Sequence, residues 1–103
     1  MTDPGLVFGA LADDTRRAVF MRVAAGGQAT ASELARDLPV TRQAVAKHLS
    51  LLAGAGLVES ERDGRETRFH ARSEPLSDAI DWMATVGARW DDRLARLARL
   101  AHS

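Results

Sequence analysis

The sequence predicts a mainly α-helical domain that carries one β-hairpin. Three observations lead there. Apolar residues recur at helical spacing through most of the chain. The stretch from Leu57 to Arg72 switches to period-two alternation around Asp63-Gly64. Caps and glycine stops punctuate the segments between. At 103 residues the chain is long enough for one domain, spanning 1–103, and its own core is thin for that length.

The elements follow in order. Asp3-Pro4 suits a cap followed by proline in the first turn, opening a short helix over Leu6 to Leu11. Asp13 and Asp14 cap a second helix, their charge favoured at its positive end. Its inward positions are Ala18, Val19 and Val23, with Phe20 and Met21 flanking, and Gly26-Gly27 stops it. Thr30-Ala31-Ser32-Glu33 is a capping box, since hydroxyl and carboxylate each satisfy a free backbone N–H. The helix it opens, Ala31 to Asp37, turns Leu34, Ala35 and Leu38 inward, and Pro39-Val40 makes a tight turn. Thr41 caps the next helix, which runs to about Ala53 with Val45, Leu49 and Leu52 inward; Gly54 and Gly56 end it. Leu57 to Arg62 reads as a strand. Asp63-Gly64 reads as a two-residue turn with both central positions at positive φ, and Arg65 to Arg72 as the returning strand. Ser73-Glu74-Pro75 breaks the hairpin, and a long helix follows over 76–101.

That last helix has a pattern the others lack. Leu76, Ile80, Met83, Gly87, Trp90, Leu94, Leu97 and Ala101 are spaced 4, 3, 4, 3, 4, 3, 4, the seam of a helix that packs along another helix. Gly87 within it lets two backbones approach closely. Asp81, Arg89, Asp92, Arg96 and Arg99 form the solvated face. About 25 residues is long for so small a core, so the seam predicts a homodimer. The plainer alternative is packing within its own domain.

Helix, turn, helix and hairpin in this order describe a winged helix-turn-helix, with the helix-turn-helix at 31–53, the wing at 57–72 and a dimerisation helix at 76–101. In such a unit the second helix enters the major groove of duplex DNA by its N-terminal residues. Here those are Thr41, Arg42, Gln43, Ala44 and Lys47, with His48 beside them. Gln bonds adenine twice, Arg bonds guanine twice, and small Thr and Ala meet a thymine methyl. Lys47 and Thr41 are placed as phosphate anchors. Around the turn, Arg62, Arg65 and Arg68 form a cationic tip suited to a backbone or a minor groove. An isolated hairpin of this kind would be an ordinary solvated one; its position after a recognition-type helix favours DNA. Lys+Arg 14 against Asp+Glu 14 sums to zero, yet residues 41–72 carry six basic and four acidic groups, the only net-positive third.

These residues resemble a known family. Ala10-Leu11-Ala12-Asp13-Asp14-Thr15-Arg16-Arg17, Ala31-Ser32-Glu33-Leu34-Ala35, Thr41 to Leu49 with its Lys47-His48-Leu49, Ala55-Gly56-Leu57-Val58, and Arg62-Asp63-Gly64-Arg65 are similar to the ArsR-type (arsenic-repressor-like) winged-helix regulators from about Leu6 to Leu100. The resemblance implies a homodimer that binds a palindromic operator and represses transcription. It also implies an interface made by the first and last helices, which adds Leu6 to the seam residues Leu76, Ile80, Met83, Gly87, Trp90, Leu94 and Leu97.

Sensing is where the sequence departs from that pattern. Metal- and arsenite-sensing relatives place cysteines in the helix that here reads Ala31 to Leu38; this chain has no Cys, which excludes a thiolate site, a thiol nucleophile and a disulfide. Zinc-sensing relatives place an Asp and His residues along the last helix. Asp78 matches the Asp, but Ile80 and Asp91 stand where the first two His would be, and His48, His70 and His102 do not cluster. No metal and no cofactor are expected. An enzyme is not expected either: Asp13-Asp14 reads as a cap, Asp91-Asp92 as a solvated face, and the paired glycines as helix stops rather than a phosphate cradle. Met1 to Gly9 lacks a basic start followed by an apolar run, and no stretch approaches ~18 apolar residues, so the expectation is a soluble cytoplasmic protein without a membrane partner. Two further readings stay open: a winged-helix module that binds another protein, and a repressor gated by a small apolar effector beside Trp82 and Trp90.

Overall fold

The structure is a computed structural model and describes residues 3–101. Five helices and three strands follow one another: α1 (Pro4–Leu11), α2 (Asp14–Gly26), β1 (Gln28–Thr30), α3 (Ala31–Asp37), α4 (Arg42–Gly54), β2 (Val58–Asp63), β3 (Glu66–Ala71) and α5 (Glu74–Ala101). His102 lies outside the described residues.

The caps do what their chemistry dictates. The Asp3 carboxylate accepts from the Gly5 amide at 2.9 Å, with Pro4 in the first turn of α1. The Asp13 carboxylate accepts from the Arg16 amide at 2.8 Å and starts α2. The capping box is complete: the Glu33 amide donates to Thr30 Oγ1 at 3.2 Å and the Thr30 amide to Glu33 Oε1 at 3.1 Å. The Ala44 amide donates to Thr41 Oγ1 at 3.1 Å, so α4 begins where the sequence places it. Arg16 and Arg17 close the other end of α1. The Arg16 guanidinium donates to the carbonyls of Ala10 and Gly9, and Arg17 donates to Leu11, supplying side-chain donors where the helix ends.

Val7, Val19, Val23, Leu34, Val45, Leu49, Leu52 and Leu57 are fully buried and form one core between α1, α2, α3, α4 and the base of the hairpin. Phe20 belongs to that core rather than flanking it, whereas Met21 is 63% exposed. Leu34 is buried, while Ala35 and Leu38 pack against the core from its edge.

Two features differ from the sequence reading. Gln28–Thr30 forms a third strand, antiparallel to β3, giving the order β1-β3-β2. A three-residue strand is too short to show a period of its own, and the capping box that follows it signals only the helix. The hairpin turn is also displaced by one residue. Asp63 pairs with Glu66, so Gly64 and Arg65 are the central residues. Only Gly64 has positive φ, at 62°, as when glycine takes the first central position of a two-residue turn. The wing base is tied to α4: the Leu57 amide donates to the Leu52 carbonyl and the Arg72 amide to Leu57.

α5 starts at Glu74, two residues before its first seam leucine, and buries only Pro75 and Ala79. Phe8 of α1 meets Trp82 with ring centroids 5.8 Å apart and a tilt of 58°. From Gly87 to Ala101 every residue is exposed, so the distal half of α5 leaves the body. The molecule accordingly measures 69 × 27 × 19 Å. Among the described residues no helix is long and apolar enough to cross a membrane.

Candidate nucleic-acid interface

α3, its short turn and α4 form the helix-turn-helix. The buried stripe Val45, Leu49, Leu52 fixes the rotation of α4 about its own axis and leaves the first turn outside. Thr41, Arg42, Gln43 and Lys47 are exposed. Among the described residues, the side chains of Arg42, Gln43 and Lys47 make no hydrogen bond or ion pair. Their donors are therefore available to a ligand. Ala44 is half-buried. His48 is also half-buried, with Nδ1 shut inside and without a hydrogen-bond partner among the described residues. His48 thus sits further inward than a base-contacting group would, although it neighbours Lys47.

The wing sorts its charges by face. Alternation puts Glu59, Glu61 and Asp63 of β2 on one face with Glu66, Arg68 and His70 of β3 and Arg72 just beyond it. Three diagonal pairs cross it. Arg68 Nε donates to Asp63 at 3.2 Å, His70 Nε2 lies 3.0 Å from Glu61, and Arg72 pairs with Glu59. Each partner stands two residues beyond the one directly opposite. Arg72 also reaches Glu74 at the start of α5, at 3.2 Å. Arg62 and Arg65 have no side-chain partner among the described residues and are exposed.

Arg68 departs from the free cation expected at the tip. It bonds Asp63 and also Glu66, at 3.1 Å, and stands 4.0 Å from the Glu33 carboxylate of the capping box. Its side chain is only 31% exposed. The sequence carries a signal for this: acids at every second position of one strand face bases at every second position of the next.

Electrostatics at the helix starts follow the caps. The Arg16 amide, bonded to Asp13, holds that carboxyl below its ordinary value of 3.8, with the charges of Arg16 and His48 adding. The Thr30 amide and hydroxyl do the same for Glu33. A carboxyl lowered on folding stabilises the fold above its unfolded pKa, and this is lost as pH falls through the folded value. Asp13→Asn should therefore flatten the loss of thermal stability on acidification below 3.8. Melting curves taken on either side of that pH test it, and equal acid sensitivity in both proteins would refute the role.

On α5, Ile80 (58% exposed), Met83 (47%), Trp90 (56%), Leu94 (58%) and Leu97 (61%) face solvent, as does Leu6 (54%) on α1. Leu76 differs, being partly buried against the chain's own core. A Cβ at Gly87 would meet nothing within 4 Å. Trp82 rests on Phe8, and Trp90 lies under the Arg93 guanidinium, 5.5 Å from its ring centre, in a hollow of about 180 Å³ with Val86 and Arg89. Among the described residues no group of three or more His, Asp or Glu is placed to hold a metal ion.

A winged helix-turn-helix whose second helix offers unpaired cations and an amide at its exposed start has the architecture with which DNA-binding regulators enter a major groove. The helix-turn-helix domain family HTH_20 matches residues 11–61. The chain is 40% identical over 80 residues to an uncharacterized HTH-type transcriptional regulator, YuzN, of Bacillus subtilis, covering 72% of this chain and 87% of that one. It is 28% identical over 88 residues to the transcriptional repressor SdpR of the same organism, covering 85% and 97%. A solved ArsR-like transcriptional regulator from Rhodococcus sp. RHA1 superimposes with a TM-score of 0.88 at 42% identity, over 95% of this chain and 92% of that one. The chain belongs to the ArsR-type family of winged helix-turn-helix transcriptional regulators.

Proposed function

We infer that the chain works in the cytoplasm as a homodimeric repressor. Two α4 helices occupy successive major grooves of a palindromic operator, ~34 Å or a multiple of it apart, and the bound dimer blocks polymerase. The observation that carries this is the apolar seam of α5, five of whose large side chains are about half exposed or more in a single chain. A second copy is the natural cover for a stripe at heptad spacing. Similarity to a protein named as a repressor supports the direction of control. With no Cys in the chain, the reading contains no thiolate sensor.

Arg42 and Gln43 read base edges, with Thr41 and Ala44 close to them; Lys47, Arg62 and Arg65 neutralise phosphates. Gln43→Ala should lose ~1–3 kcal/mol of discrimination between the operator and a scrambled duplex. Lys47→Ala should weaken both duplexes alike and flatten the salt dependence, because one fewer phosphate contact releases fewer counterions. Fluorescence anisotropy with the duplex upstream of the chain's own gene, titrated with salt, separates the two. Equal losses on both duplexes for Gln43→Ala would defeat its assignment to base readout. Failure of the wild type to prefer its upstream duplex would turn the reading toward a different operator or a protein partner.

A further inference from the structure

We propose that Arg68 is a positioning residue of the wing: it struts the hairpin tip against the α3 capping box and so sets how Arg65 is offered to DNA. The inference rests on the DNA-binding reading above and adds a role which that reading does not contain.

The argument starts from what Arg68 touches. Its guanidinium spans three carboxylates from two parts of the fold. Asp63 and Glu66 flank the Gly64-Arg65 turn, and Glu33 belongs to the capping box that starts α3. Thr30, the other half of that box, is the register partner of Arg68 across β1 and β3. The turn and the start of the helix-turn-helix therefore converge on one side chain. Isolated surface ion pairs contribute little, but several carboxylates on one planar fork form the arrangement in which they do contribute. The charge of Arg68 is also cancelled where it stands, which removes the reason to treat it as a phosphate contact. Arg65, next to Glu66 and two residues from Asp63, has no side-chain partner among the described residues and takes its direction from the turn they hold.

Substitution by lysine discriminates the roles. Lysine is an adequate point charge for a phosphate, yet it cannot reproduce a fork across three carboxylates. Arg68→Lys should lose roughly fivefold to tenfold, as much as Arg68→Ala, a range usual for residues that act without touching the ligand. In an Arg65→Ala background the Arg68→Ala loss should largely vanish, since the group it positions is gone. Wild-type binding by Arg68→Lys, with a salt slope lowered by ~0.9 in Arg68→Ala, would make Arg68 a phosphate contact and overturn the proposal. An additive loss in the Arg65→Ala background would overturn it as well. Amide hydrogen exchange reads the strut without DNA. Exchange at Gly64 to Thr67 should quicken in Arg68→Lys but not in Arg65→Lys, and unchanged exchange would overturn the strut even if the wild type bound neither duplex. Failure of the wild type to bind, with exchange quickened as expected, would sink the DNA reading of these residues and, with it, the role assigned to Arg65.

Discussion

Leu94→Glu should turn the proposed dimer into monomers and weaken binding to the upstream duplex a hundredfold or more. Leu94 is 58% exposed in the single chain and lies in the distal half of α5, where nothing of its own fold covers it. Burying a leucine contributes about 1.5–3 kcal/mol, and a two-fold interface contains the residue twice, so roughly 3–6 kcal/mol rests on this position. A glutamate there would have to bury its carboxylate in an apolar seam, which strengthens the effect. Loss of the dimer also removes the advantage of holding two half-site contacts together. The fold of each chain should survive, because Leu94 has no part in the core. Sedimentation velocity and anisotropy on the same samples test both halves. A monomeric wild type, or a variant that stays dimeric, would rule out the seam as the interface.

The same seam shows what a sequence can and cannot reveal. Its heptad spacing is a local property of one helix and was legible directly. So were the bounds of α3, because the Thr30–Glu33 box is made within four residues, and the start of α4, because Thr41 meets Ala44 within the same reach. What escaped was made by distant pairs. β1 exists because Ala29 lies beside Phe69, 40 residues later, and three residues carry no period of their own. Arg68 reads as one more cation of a basic tip until Glu33 is brought to it from another element. Phe20 and Met21 are neighbours of similar hydrophobicity, and only the packing of α2 against α4 decides which is inside. Net charge misled in the same way. The surplus of residues 41–72 is not spread over the wing, because the diagonal pairs neutralise one face and leave the free cations on α4 and at the tip.

Leu49→Ala should cost ~2–5 kcal/mol of stability, lowering the melting temperature by at least about 10 °C, whereas Leu51→Ala should stay within about 0.5 kcal/mol of wild type. The two leucines differ by two positions on α4 and by roughly 200° around its axis. Leu49 is fully buried and Leu51 is 47% exposed. Truncating the first leaves a cavity against Leu34, Val45 and Leu52; truncating the second removes a side chain already half in water. Calorimetry at matched protein concentration measures both, since a dimer's melting point shifts with concentration. The pair also tests the interface with DNA, because one rotation of the helix sets both faces. If Leu51→Ala melted as early as Leu49→Ala, α4 would be turned about its axis. Gln43 and Lys47, which share Leu51's side of the helix, would then face the core side, and no reading of them as groove-entering residues could stand.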